Sequence, residues 1–428
     1  MPNFQYIHAA DLHLGAPFVG LHQNNPRVAQ MADEATYAAF DKIIQLAITR
    51  KVLFVLFAGD IYDADYPNLK AQLRFRDGIL QLDKAEISSC VIRGNHDHGG
   101  SVRAKLEFPD SYFEFAPGAN PPHLINQNGI PIAAIYGYSY PQRAVTENIL
   151  RHYAPRPEDQ KYFRIGMLHG NVGGDVEHDN YAPCSVAQLK EIDINYWALG
   201  HVHQAKVLSQ TPAIMYPGTP QGLSPRETGA HGCYVVTVQE NRCEMEFVAT
   251  DSLRWMDLEF SIADISTEDE LLRGLDDLLA DQRGRENCSL ISCISLTGRG
   301  ELHHALQQAQ TLSTIQDHLN QQRENDVFVN RLQDFSQPNF DVETKRQENS
   351  ILGDYLRLSQ SMNSDAELRE KVLLSLAEVA NHAEIKRALE INNSEEWLMQ
   401  QLPQLIKQAE ARGAHLLMGE VNTEEPRV

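Results

Sequence analysis

Residues 89–97 read SCVIRGNHD, and residues 195–203 read NYWALGHVH. Each is a short apolar run ended by a glycine, after which Asn, His or Asp side chains follow at once. Runs of this length, rich in β-branched and aromatic residues and bounded by Gly or Asn, predict buried strands. The glycine lets the chain turn sharply, so that the next side chain can point into a crevice. Three further strand ends carry the same kind of residue. The stretch at 4–9 leads to Asp11-Leu12-His13, that at 52–58 to Gly59-Asp60-Ile61-Tyr62-Asp63, and that at 163–168 to His169-Gly170. In open α/β sheets, ligands bind at the carboxyl ends of strands. The five motifs therefore predict one site, although they are scattered from Asp11 to His203.

Around these motifs the first 250 residues alternate strands with helices. Strands are predicted at 4–9, 52–58, 87–92, 131–137, 163–168 and 195–199, and helices at 28–50 and 68–83. That is an α/β pattern. It becomes β-rich from 205 to 250, with turns at Pro217-Gly218 and Glu240-Asn241. Strands at 255–262 and 288–296 then flank a helix at 267–283, a small α+β unit. Helix is predicted over 301–324, and the polar stretch 336–350 reads as a linker or an extended crossing segment. Two helices end the chain. The first opens on the capping box Ser364-Asp365-Ala366-Glu367 and runs to 391, with Leu368, Val372, Leu376 and Val379 on one face. The second covers 394–411, kinked at Pro403, with Gly413 as its C-cap. The domains so predicted are 1–250, a catalytic core; 251–330, a capping domain; and 331–428, a linker and helical region.

The chain has 428 residues, 42% hydrophobic and 22% charged, as in a soluble globular protein of two or three domains. No stretch of 18 apolar residues could span a membrane, and the N-terminus lacks the pattern of a signal peptide. A cytoplasmic protein is expected. The six cysteines form no CxxC pair, and several lie in apolar runs, so they read as buried reduced thiols rather than a disulfide framework. The net charge of −21 opposes nucleic-acid binding, but it is unevenly spread. Residues 1–250 hold 26 acidic and 20 basic side chains; residues 251–428 hold 32 and 17. The acidity is concentrated away from the motifs, and bound divalent ions would offset charge within the site.

Asp, His and Asn supply hard oxygen and borderline nitrogen ligands, with no cysteine among them. That mixture suits Mn, Fe or Zn in five or six coordination better than a closed structural zinc site. Each motif alone is weak, since GD and HG pairs are common and most of the 17 histidines are core or surface residues. Five in this order, each at a strand end, are specific.

The order DxH, GDxxD, GNHD, H, GHxH is similar to that of the calcineurin-like metallophosphoesterase superfamily. IHAADLHLG at 7–15, GDIYD at 59–63, IRGNHD at 92–97 and YPGTPQGLSPRETGAHGCYVV at 216–236 resemble the SbcD-type DNA repair exonucleases, most of all their YhaO branch. The resemblance implies an α/β fold: a β-sandwich flanked by helices, with a small α+β capping domain and a helical C-terminal region. It implies two divalent metal ions, manganese by preference. Asp11, His13, Asp60 and His203 would hold the first, and Asp60, Asn95, His169 and His201 the second, with Asp60 bridging. Such a pair can clamp a phosphodiester and supply a metal-bound hydroxide. His96 would face the scissile phosphate, Asp97 would orient it by a hydrogen bond, and Asp63 would stand at the edge of the site.

A metal-dependent DNA exo/endonuclease subunit acting in DNA repair is thereby implied, with DNA as substrate and an SbcC-like or SMC-like ATPase as partner. The helices at 361–411 would dock that ATPase, and a homodimer is compatible with the pattern. Two other functions use the same residues. A phosphomonoesterase or protein phosphatase would need no 180 residues after its core. A catalytically silent scaffold would not need the complete ligand set.

Overall fold

The computed structural model describes residues 3–21, 26–63, 68–101, 103–174, 180–322, 327–339, 342–382, 386 and 393–421. The chain divides into two compact units. The first comprises Met1–Asp257, Gln282–Cys293 and Arg323–Asn330; the second comprises Leu258–Asp281, Ile294–Gln322 and Arg331–Val428.

In the first unit the order is β1 (Asn3–Ala9), α1 (Pro26–Arg50), β2 (Phe54–Ala58), α2 (Leu69–Lys84), β3 (Ser88–Ile92), β4 (Tyr112–Glu114), β5 (His123–Gln127), β6 (Ile130–Gly137), β7 (Phe163–His169), α3 (Val186–Glu191), β8 (Tyr196–Gly200), β9 (Lys206–Gln210), β10 (Ala213–Tyr216), β11 (Gly232–Gln239) and β12 (Arg242–Ala249). The strands form two six-stranded sheets, β12-β11-β1-β2-β3-β4 and β5-β6-β7-β8-β10-β9. β1 to β4 are mutually parallel, as are β6, β7, β8 and β10, while the outer strands β11, β12, β5 and β9 run antiparallel to their neighbours.

Strand periodicity explains why these sheets stack. Along β1 and β2, Phe4, Tyr6, Phe54, Leu56 and Ala58 turn to one face and meet Phe163, Ile165, Met167, Tyr196 and Ala198 of the other sheet. The alternate residues Ile7, Ala9, Val55 and Phe57 turn outward onto Phe40, Ile43 and Ile44 of α1 and Phe75, Ile79 and Leu82 of α2. Being buried on both faces, the parallel strands read as unbroken apolar runs. This is the expected β-sandwich flanked by helices. All five motif strands, β1, β2, β3, β7 and β8, are parallel members, so their carboxyl ends lie on one edge.

The predicted α+β elements are present as Leu253–Ser261, Glu268–Arg285 and Ser289–Thr297, and Val327–Asp334 completes a three-stranded sheet. The C-terminal region departs from expectation in four places. The stretch read as a linker holds a short helix, Val342–Gln347, and a further helix, Ile351–Ser364, precedes the first one predicted. Ser350 caps it by accepting from Gly353 N, a cap signal obscured by the polar run before it. The next helix, Ala366–Ala380, does not open on the predicted capping box: Asp365, not Ser364, is its N-cap and accepts from the Glu367 and Leu368 amides, because Ser364 still belongs to the helix before it. Most of its predicted continuation to 391 lies outside the described residues. Gly413 is not a C-cap but sits inside Ser394–Val421. A Cβ there would collide with the Tyr355 ring, whose hydroxyl donates to Ala409 O, so this glycine permits two helices to approach. Within that unit Leu398, Leu402, Ile406 and Ala414 are buried, whereas Ile351, Leu374, Val379, Met399 and Leu416 remain exposed. Among the described residues no disulfide joins any of the six cysteines, and no helix is long and apolar enough to cross a membrane.

Candidate metal centre

The seven predicted ligands converge at the carboxyl edge of the two sheets. Asp11, His13 and His203 place ligand atoms within 4.8 Å of one another, as do Asp11, Asp60 and His169. His13 Nε2 faces His203 Nε2 at 3.2 Å and Asp60 Oδ2 at 3.9 Å. His169 Nε2 lies 3.3 Å from Asp60 Oδ2 and 2.9 Å from Asn95 Oδ1, and that oxygen is also 3.2 Å from His201 Nδ1. His178, which lies near a motif in the sequence, falls outside the described residues.

The backbone is bent to achieve this. Asp11, His13, Asp60 and His201 all have positive φ, at 52°, 41°, 51° and 103°. Each such non-glycine residue costs about 1–3 kcal/mol, and such strain clusters at functional sites. It is held by lacing between the first two loops: Asp11 N, His13 N and Leu14 N donate to the carbonyls of Gly59, Asp60 and Ile61. The motif glycines have a steric role as well. A Cβ on Gly59, Gly94 or Gly200 would run into the His169 ring, so three loops close on one imidazole only because they lack side chains there.

Hydrogen bonds set which nitrogen each ring presents. His169 Nδ1 donates to Ala58 O at 3.0 Å, leaving Nε2 toward Asp60 and Asn95. His203 Nδ1 donates to Glu227 Oε1 at 2.6 Å, leaving Nε2 toward His13. Such outer partners are how proteins fix the tautomer of a ligating imidazole. Burial pulls His169 down, but the charge and hydrogen bond of Asp60 outweigh it and lift the ring to about 9. Burial opposes the His203 imidazolium too, yet Glu227 raises it to about 9, while Glu227 itself is held near 2. His13, with burial and His203 acting together, falls to about 3. Burial raises Asp11 to about 7.

These residues fit divalent cations. Asp11 and Asp60 are fully buried carboxylates, and among the described residues neither pairs with a Lys or Arg. Their charged neighbours are imidazoles, which are cations only while protonated, and two buried carboxylates this close carry a desolvation cost of several kcal/mol each that a bound cation would offset. Two imidazole nitrogens turned toward each other at 3.2 Å need a proton or a metal between them. The donors are the oxygen and nitrogen types that such ions accept.

His96 stands at the open side of the cluster, its ring 5.0 Å from that of His13. Its amide donates to Asp60 Oδ1 at 2.9 Å, and its Nδ1 meets Asp63 Oδ1 at 3.3 Å. The contact expected of Asp97 is thus made by Asp63. Asp97 instead accepts from the amides of Ile61 and Gly94 and pairs with Arg93. Arg93 is buried and also reaches Glu114, which Arg103 meets in turn. Asp97 therefore ties the GNHD loop to the Asp60 loop, and Arg93 anchors it from below. Sequence reasoning missed both Arg93 and Glu227. The only signal was position, Arg93 beside the glycine of a motif and Glu227 within SPRETG.

Fold and site together define a class. Residues 4–205 match the calcineurin-like phosphoesterase family, and the chain carries a calcineurin-like phosphoesterase domain. Residues 255–336 match the middle domain of the metallophosphoesterase YhaO. The uncharacterized metallophosphoesterase YhaO of Bacillus subtilis (strain 168) is 38% identical over 257 residues, 60% of this chain and 62% of that protein. A subunit of the nuclease SbcCD from Escherichia coli (strain K12) is 24% identical over 273 residues, 56% of this chain and 66% of that protein. The chain thus spans less than two thirds of each of these relatives. Among solved structures, a dimetal phosphatase from Danio rerio is 12% identical with a TM-score of 0.35, covering 58% of this chain and 97% of that one.

Proposed function

We propose that this protein is a metal-dependent DNA exo/endonuclease subunit that hydrolyses phosphodiester bonds at a site holding two divalent ions, manganese by preference. The observation that carries the hydrolase reading is the converged set Asp11, His13, Asp60, Asn95, His169, His201 and His203, with two buried carboxylates that no described Lys or Arg neutralises. The nuclease reading is supported by likeness to the SbcCD nuclease subunit. When bound, the ions would polarise the phosphate and lower the pKa of the attacking water. Asp60 would contribute to both. Asp63 holds His96 through Nδ1, which leaves Nε2 to donate toward the leaving oxygen. Burial lowers the His96 pKa, but the Asp63 hydrogen bond and the charge on Asp60 outweigh it, so the proton-donating form is favoured.

The helices at 361–411, with Leu374, Val379 and Met399 as exposed apolar side chains, are proposed to dock an SMC-like ATPase, since amphipathic helices suit groove binding. The activity is tested by incubating the purified protein and manganese with plasmid, linear duplex and p-nitrophenyl phosphate, with and without chelator. DNA hydrolysis that chelator abolishes is expected. Turnover of the monoester alone would make the protein a phosphatase; inertness on all three substrates would make it a scaffold.

A further inference from the structure

We propose that Glu227 is a positioning residue of the metal centre, fixing the ring of His203 so that one of the two ion sites is complete; this rests on the two-metal reading above. The carboxylate uses both oxygens. Oε1 accepts from His203 Nδ1 at 2.6 Å, and Oε2 accepts from the Leu223 amide at 2.6 Å. The first bond turns His203 Nε2 toward His13 Nε2; the second fixes the carboxylate itself.

The turn that carries Glu227 is held at several points. Leu223 O accepts from Val19 N, Gly229 N donates to Trp255 O, and the Glu227 carbonyl lies 3.1 Å from His231 Nε2. Gly222 lies too close to the Glu227 carbonyl for any side chain. Glu227 lies 24 residues beyond His203, so this is a tertiary device and not a local one. A rigid outer carboxylate raises the basicity of the imidazole it holds and removes the cost of orienting it. Its loss should weaken one ion and spare the other. The second ion's Asn95 and His169 are held through His201, Asp60 and Ala58 rather than through this turn.

The test is manganese binding by full-length wild type, Glu227→Gln and Glu227→Ala, read by calorimetric titration and by elemental analysis after desalting. Alanine leaves the Leu223 amide without its acceptor. Glutamine keeps one acceptor oxygen, enough for Leu223 or His203 but not both, and guards against a variant that fails to fold. Wild type should bind two ions. Each folded variant should bind one as before and the other about 10–100-fold more weakly. In chelator Glu227→Gln should melt below wild type, since the His203–Glu227 ion pair is lost, yet it should still unfold as a cooperative folded protein. Two ions bound by Glu227→Gln with wild-type affinity would overturn the inference, as would equal weakening of both ions. A wild-type chain that binds fewer than two ions would overturn the two-metal reading itself.

Discussion

Gly94→Ala tests whether the site is assembled as described without substituting any candidate ligand. Gly94 lacks the left-handed φ that would bar alanine, so the backbone tolerates the change. Space does not. A Cβ there would lie 2.6 Å from His169 Nε2 and 2.7 Å from its Cε1, and nearer still to Asp60 Oδ1. Ordinary contact begins at 3.4 Å, so the ring must retreat by about 0.8 Å. Metal-ligand distances tolerate about 0.2 Å, and a shift near 1 Å at reacting groups costs on the order of 100-fold in rate. Overpacking a core costs about 1–3 kcal/mol, too little to unfold an ordinary domain. The variant should stay folded by circular dichroism, lose at least about 10-fold in manganese affinity by calorimetry, and lose on the order of 100-fold in hydrolysis. Gly284→Ala is the control, because a Cβ there meets nothing within 4 Å and alanine favours its helix. Wild-type affinity for two ions in Gly94→Ala would refute the crowding of Asp60 and His169 against that loop.

Asp60→Ala should be the most damaging single ligand change, with both ions lost by elemental analysis; near wild-type turnover with two ions retained would sink the bridging role. His96→Asn should keep two ions and DNA affinity while the rate falls about 10²–10⁴-fold, whereas loss of metal would make His96 a ligand. Manganese binding should expel protons from His169 and His203, both lifted to about 9. Affinity should then rise from pH 6 to 9, by up to about tenfold per unit for each proton displaced, and the binding heat should depend on the buffer's ionisation heat; no such dependence means the rings are already neutral. Truncation after about residue 340 should spare metal binding and cleavage of a small phosphodiester but abolish co-purification with the ATPase; an insoluble or metal-free product would place those helices in the structural core.

The strands and the chemistry at their ends were legible in the sequence because both are local. A strand buried on two faces is a continuous apolar run, as in LFVLFA at 53–58, and the Asp, His or Asn after it follows from chain order alone. The likeness of motif order also assigned the seven candidate ligands to one site, which chain order alone could not have done. Partners that act through space were decided only by the tertiary structure. Asp97 adjoins His96 in the chain, yet its carboxylate turns back onto the backbone and Arg93, while Asp63, 33 residues earlier, meets the ring. Gly413 satisfies the local rule for a helix stop, but its lack of a side chain serves Tyr355 on another helix. Glu227 lies in an irregular turn with no periodicity to mark it, and only the return of the chain between β10 and β11 carries it to His203. Periodicity reports which face of an element is buried; it carries no information on which distant residue that face will meet.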